Sequence, residues 1–110
     1  MRIWDINPRR LCRAHLLGEH RELHCIWTVL TQDKRGYSRH PETLRWTGKL
    51  RALYRRHDMQ VAELVRRKYQ HRSPLDYRLA TGRAVQDSRV DSLRRQRELL
   101  RAKGCDCLAG

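Results

Sequence analysis

Apolar residues fall into three helical registers along this chain, separated by polar stretches marked with Gly and Pro. In the first, Leu16, Leu23, Trp27 and Leu30 share one narrow stripe at about 100° per residue, with Ile26 beside it. Asn7 followed by Pro8 supplies a start: a capping side chain, then a ring whose missing N–H is not needed at the first helical position. The spacing predicts a helix from Pro8 to near Gln32, closed by Asp33-Lys34-Arg35-Gly36. The stretch GYSRHPETLRWTG reads as a connector, with one short helical turn starting at Pro41 and Gly48 ending it. A second long helix is predicted from Lys49 to Tyr69, with Leu50, Leu53, Tyr54, Val61, Leu64 and Val65 on its apolar face. Ser73-Pro74 breaks the chain, and Leu75 to Gly82 carries no assignment. A third helix is predicted from Asp87 to Lys103 on Val90, Leu93 and Leu100, with Gly104 just past its end. Ahead of all three, Ile3, Trp4 and Ile6 alternate in a segment too short to build a sheet. The expected fold is all-α: a compact single-domain bundle of three main helices over residues 1–110, with a flexible tail at about 104–110.

Charge changes this picture from a generic bundle to one with a partner. Charged residues are 34% of the 110 residues and the net charge is +13, and only Lys34, Lys49, Lys68 and Lys103 of the 25 basic side chains are lysines. A field of that sign concentrates polyanions, and the planar guanidinium suits phosphate. Nucleic acid is the first candidate partner and an anionic membrane surface the second. No apolar run approaches the ~20 residues of a membrane span. A cytoplasmic location and reduced thiols are expected. Cys12 and Cys25 stand thirteen residues apart on one predicted helix and cannot bridge each other. Cys105 and Cys107 form a lone C-x-C, half of what a four-ligand zinc site requires. They are expected as free thiols on a frayed tail, and no metal or cofactor is expected.

Candidate chemistry concentrates in HLLGEHRELHCIW, His15 to Trp27. His20 and His24 have the four-residue spacing of a zinc protease helix, but the glutamate between them is Glu22, giving H-x-E-x-H instead of H-E-x-x-H. On a regular helix Glu22 is turned about 200° from His20, away from any metal the two histidines would hold. His15, Glu19 and Glu22 instead fall on one polar strip bordering Leu23, Ile26 and Leu30. A carboxylate there suits acid/base work through partial desolvation. It equally suits an ion pair from Glu22 to Arg21, Arg51 or Arg55 that orients helices, and spacing leaves both open.

The residues MRIWDI followed by HLLGEHREL resemble the pyrimidine-dimer DNA glycosylases, the phage endonuclease V family, with its Thr-Arg-Ile start and H-L-x-x-E-x-R-E-L helix. The stretch WTGKLRALYRRHDMQVAEL is similar, more loosely, to that family's second long helix, so the resemblance covers roughly residues 1–70. It implies a small helical domain that excises the base at a UV-induced dimer and then cleaves the abasic strand. The implied nucleophile is the N-terminal α-amine, here that of Met1, forming an imine with the sugar. The assisting glutamate corresponds to Glu22; Arg2 and Arg21 would meet DNA, and His15 would lie at the same site. Such chemistry uses no cofactor. It requires the N-terminal segment to fold back along the bundle, with Ile3 and Trp4 inward.

An α-amine is well suited to that attack. Near pKa 7.8 about 14% of it is unprotonated at pH 7, against about 0.04% of a lysine. Two departures from the family stand out. Met1 occupies the place of the family's threonine, and no aromatic residue follows Tyr77. The expected partner is double-stranded DNA with a damaged base or abasic site, bound by a monomer. The alternative is a non-catalytic basic helical module that binds DNA or RNA.

Overall fold

The computed structural model describes residues 2–36, 38–70 and 73–108. Four α-helices account for its regular structure: α1 (Arg13–Thr31), α2 (Pro41–Leu44), α3 (Leu50–Arg66) and α4 (Leu93–Ala102). Single 3-10 turns lie at Pro8–Arg10 and Tyr77–Leu79, and no strand occurs among the described residues. The fold is the expected all-α bundle, with α1, α3 and α4 as its main helices. None of them is long and apolar enough to cross a membrane.

The first helix starts later than its apolar stripe suggests. Asn7 does cap a turn, accepting from the Arg9 N–H at 3.0 Å, but Leu11 is extended (ψ 138°) and buries its side chain, and Cys12 becomes the N-cap of α1. The guanidinium of Arg67 donates to the carbonyls of Pro8, Arg9 and Leu11 at 3.3, 3.4 and 2.6 Å, which satisfies acceptors the broken helix leaves open. α3 ends at Arg66 instead of Tyr69 because Lys68 adopts a left-handed backbone (φ 67°) and the Tyr69 N–H turns back to the Leu64 carbonyl.

The largest correction concerns the third helix. It begins at Leu93, not Asp87, where Ser92 Oγ accepts from the Arg95 N–H at 3.1 Å. Val90, expected on its apolar face, is exposed. The residues before it serve α3 instead: the N–H groups of Arg51 and Ala52, in the first turn of α3, donate to the carbonyls of Thr81 and Arg83 at 2.8 and 3.0 Å. Gly82 makes that approach possible. Its φ is +81°, and a Cβ there would sit 2.2 Å from the Gly48 carbonyl oxygen.

Two apolar clusters form the core. Ile3 joins Leu23, Ile26, Trp27, Trp46 and Leu53 in one; Trp4 and Ile6 join Leu11, Leu16, Leu64, Leu100 and Cys107 in the other. The N-terminal segment therefore runs between the clusters and contributes to both. It is folded back with Ile3 and Trp4 inward, at 1% and 6% exposure. Cys105, Cys107 and Leu108, expected on a frayed tail, pack in or against this second cluster, and the Leu108 N–H donates to the Arg10 carbonyl at 2.8 Å.

Candidate active site

Arg2, Trp4 and the charged strip of α1 meet at a cleft of about 510 Å³ whose far walls are His40, Leu99 and Lys103. What fixes the cleft is the way residues 2–6 are held. Both oxygens of the buried Glu19 side chain are taken by N–H donors. The Trp4 backbone donates at 2.6 Å, Arg56 donates Nη2 at 2.9 Å and Nε at 3.2 Å, and the Gln60 amide completes the set. Burial pushes the Glu19 carboxyl upward, and Arg56, Gln60 and the Trp4 N–H oppose it. With every lone-pair direction occupied by a donor, the ionised form is the one the geometry accommodates.

Three side chains add further contacts to the same segment. Arg56 Nη2 also donates to the Ile6 carbonyl at 2.8 Å. Arg45, itself buried, donates to the Ile3 carbonyl (2.9 Å), the Ser88 carbonyl (2.8 Å) and the carboxylates of Asp5 (3.0 Å) and Glu42. Gln96 of α4 forms a two-way pair with Asp5, accepting from its N–H at 2.8 Å and donating to its carboxylate at 2.9 Å. Ahead of these, Arg2 pairs with Asp91 at 2.9 Å and lies 4.8 Å over the Trp4 ring. The Trp4 and Asp5 N–H groups and the Ile3 and Ile6 carbonyls, between two apolar clusters, thus find charged or amide partners.

The residues singled out from sequence divide as follows. Arg2, His15 and Glu22 line the one cleft; Arg21 is exposed and outside its lining. Met1 lies outside the described residues. Among the described residues Glu22 makes no ion pair, so the orienting pair with Arg21, Arg51 or Arg55 is not formed. Glu19 parts company with its neighbours on the strip: it is buried at 2% exposure, while Glu22 stays half-buried and open to the cleft. His15 packs edge-on to Trp4, with ring centroids 5.9 Å apart. Burial, with Lys103 as a lesser cause, lowers its pKa.

Sequence reasoning missed Arg45, Arg56, Gln60 and Gln96, which build the clamp, and His40 and Lys103, which wall the cleft. One signal was present for part of this set: Arg56, Gln60 and Glu63 recur at helical spacing in the inward stripe of Leu53 and Leu64, polar groups on a face that must be buried. His20 and His24 are half-buried and meet the buried His57 of α3, with ring centroids 4.7 to 5.0 Å apart and His20 Nδ1 2.8 Å from Gln60 Oε1.

The family model of the pyrimidine dimer DNA glycosylases matches residues 1–77 of the 110, which takes in the N-terminal segment, α1, α2 and α3. The chain belongs to that family. No curated protein and no solved structure matches it.

Proposed function

We propose that the protein excises pyrimidine dimers from double-stranded DNA and cleaves the resulting abasic strand, with the α-amine of Met1 as nucleophile and Glu22 as its proton shuttle. One observation carries this beyond family membership. Glu22 opens, without an ion pair among the described residues, into the cleft that Arg2 lines, beneath the clamped N-terminal segment.

In the proposed sequence the unprotonated amine attacks the sugar C1′ and the C1′–N bond to the base breaks. Glu22 accepts the proton the amine loses. Opening of the C1′–O4′ bond gives an imine. Loss of a C2′ proton from the imine then expels the 3′ phosphate, and water releases the sugar. Beyond its proton transfers, the Glu22 carboxylate stabilises positive charge developing on the sugar. Arg2 and the exposed Arg21 contact phosphate, and His15 lines the wall beside the reacting sugar. Reaching a duplex base requires extruding it from the stack, at a cost of a few kcal/mol that a lesion reduces.

Borohydride trapping on dimer-containing and abasic duplexes tests the reading. A covalent protein–DNA adduct is expected, and an N-terminal extension that moves the free amine away should abolish it. An adduct that survives the extension transfers the nucleophile to a lysine. Lys103 is then first in line because it lines the cleft; Lys49 is buried and committed to Gln86, Asp87 and Ser88 at 2.6, 3.1 and 2.6 Å. Binding with no adduct on either substrate would identify a non-catalytic basic module instead.

A further inference from the structure

The fold brings four soft donors from the two ends of the chain to one point. Cys12 Sγ lies 3.1 Å and Cys107 Sγ 3.2 Å from His15 Nδ1, and with Cys105 Sγ all four ligand atoms are within 4.8 Å of one another. Cys107 is buried and the other three are half-buried. No carboxylate belongs to the group. We infer that Cys12, His15, Cys105 and Cys107 bind one zinc ion in a closed Cys₃His centre that fastens the C-terminal segment to the start of α1.

The donor set fits zinc in number, type and spacing. Bonds of about 2.3 Å to sulfur and 2.0–2.1 Å to nitrogen put neighbouring ligands of a tetrahedral zinc roughly 3.5–3.8 Å apart, within small side-chain adjustments of the distances here. Three thiolates and one imidazole leave no open position, which marks a structural rather than a catalytic centre. The local backbone agrees. Cys12 and His15 are spaced C-x₂-H across the first turn of α1, where Cys12 is the N-cap and makes no side-chain capping bond. The Cys12 N–H itself points at Cys107 Sγ, 3.0 Å away, as backbone donors do toward metal-bound sulfur. Gly104, with φ +65°, turns the chain out of α4 so that Cys105 and Cys107 reach the same point.

Binding displaces the thiol protons to solvent and leaves a net charge of −1 on the centre, in a chain of net charge +13. With Nδ1 on the metal, the other nitrogen of His15 carries the ring proton, so the imidazole enters the cleft wall as a fixed hydrogen-bond donor. The family match ends at residue 77, so Cys105 and Cys107 come from the part of this chain beyond it. The centre shares His15 with the cleft, but metal binding is read out separately from glycosylase activity.

The test is metal content of the full chain, expressed with zinc and purified under reductant. One zinc per chain is expected, and none in a variant carrying both Cys105→Ser and Cys107→Ser. Because that variant can lose more than the metal, cobalt(II) is also titrated into reduced, metal-free wild type. Thiolate-to-cobalt charge transfer and the intense red absorption of tetrahedral cobalt are expected, saturating at one equivalent. Folded wild type that shows neither zinc nor this absorption would overturn the inference. So would zinc that persists in the double variant and leaves on His24→Ala, since it would then belong to the His20, His24 and His57 group. A disulfide among Cys12, Cys105 and Cys107 in the protein isolated without reductant, with no zinc bound once that disulfide has been reduced, would overturn it as well.

Discussion

Both ends of the chain are brought to the first turns of α1, by opposite kinds of chemistry. Residues 2–6 are held by hard donors and acceptors: Glu19, Arg45, Arg56 and Gln96 each take a backbone group or the Asp5 carboxylate. Residues 105–108 are held mainly by sulfur and imidazole, with the Leu108 N–H donating to the Arg10 carbonyl and the Arg10 guanidinium reaching the Leu108 carbonyl at 3.4 Å. The first device is directional, and each contact fixes an angle as well as a distance, as befits a segment that leads to the proposed nucleophile. The second is compact and depends on metal and redox state. Position at the amino end is therefore set by protein alone, while position at the carboxyl end answers to the surroundings.

Three changes sharpen or break this contrast. Glu22→Gln keeps the clamp and removes the proposed proton shuttle, so on the proposed function strand cleavage of dimer-containing DNA should fall by about 10²–10⁴-fold. Duplex affinity should stay within a factor of two or so; an unchanged rate would dismiss Glu22 from the chemistry. Arg56→Met cuts the clamp itself, leaving the buried Glu19 carboxylate without its cation. Urea unfolding should show a loss of about 3–5 kcal/mol, and a loss below about 1 kcal/mol would mean the ion pair does not hold the segment.

The smallest effect lies in the link between the two devices. Glu63, bonded to Arg66 at 2.5 Å and Arg67 at 2.6 Å, helps aim Arg67 at the turn before Cys12. The Arg66 hydrogen bond, then that of Arg67, and the charge of both guanidiniums hold the Glu63 carboxyl down at about 2, against 4.5 unperturbed, with burial opposing. A depressed pKa contributes stability above the unfolded value and loses it as pH falls through the folded one. The melting temperature should therefore drop between about pH 4.5 and 2, and Glu63→Gln should flatten that part of the curve. Parallel curves for the two proteins would exclude Glu63 as a source of acid sensitivity.

The existence of α1, α3 and α4 was legible because Leu16, Leu23, Leu53, Leu64 and Leu100 recur at helical spacing and are all buried. Their ends were not. Val65 and Val90 match an apolar face by spacing, yet 59% and 53% of each is exposed. What decides those ends is a left-handed Lys68 and a Ser92 cap, both local choices to which a periodic pattern is blind. At the site, Arg2, His15 and Glu22 were visible through a motif, since a motif preserves positions whatever surrounds them. The separation of Glu19 from Glu22 was not visible. They stand three residues apart on one strip, and only the arrival of Arg56 from α3 draws one inward. The sulfur cluster was invisible for a related reason: C-x₂-H and C-x-C are each half a site, and only topology puts them together.

Asp5 and Gln96 exchange two hydrogen bonds across 91 residues of sequence. During synthesis the leading segment can meet Glu19, Arg45 and Arg56 early, but its Gln96 contacts, and the Leu99 and Lys103 walls of the cleft, wait for α4 and the closing of a loop of about 91 residues. Assembly of the cleft is thereby a late event of folding, and a chain still being made has no finished groove to offer to DNA.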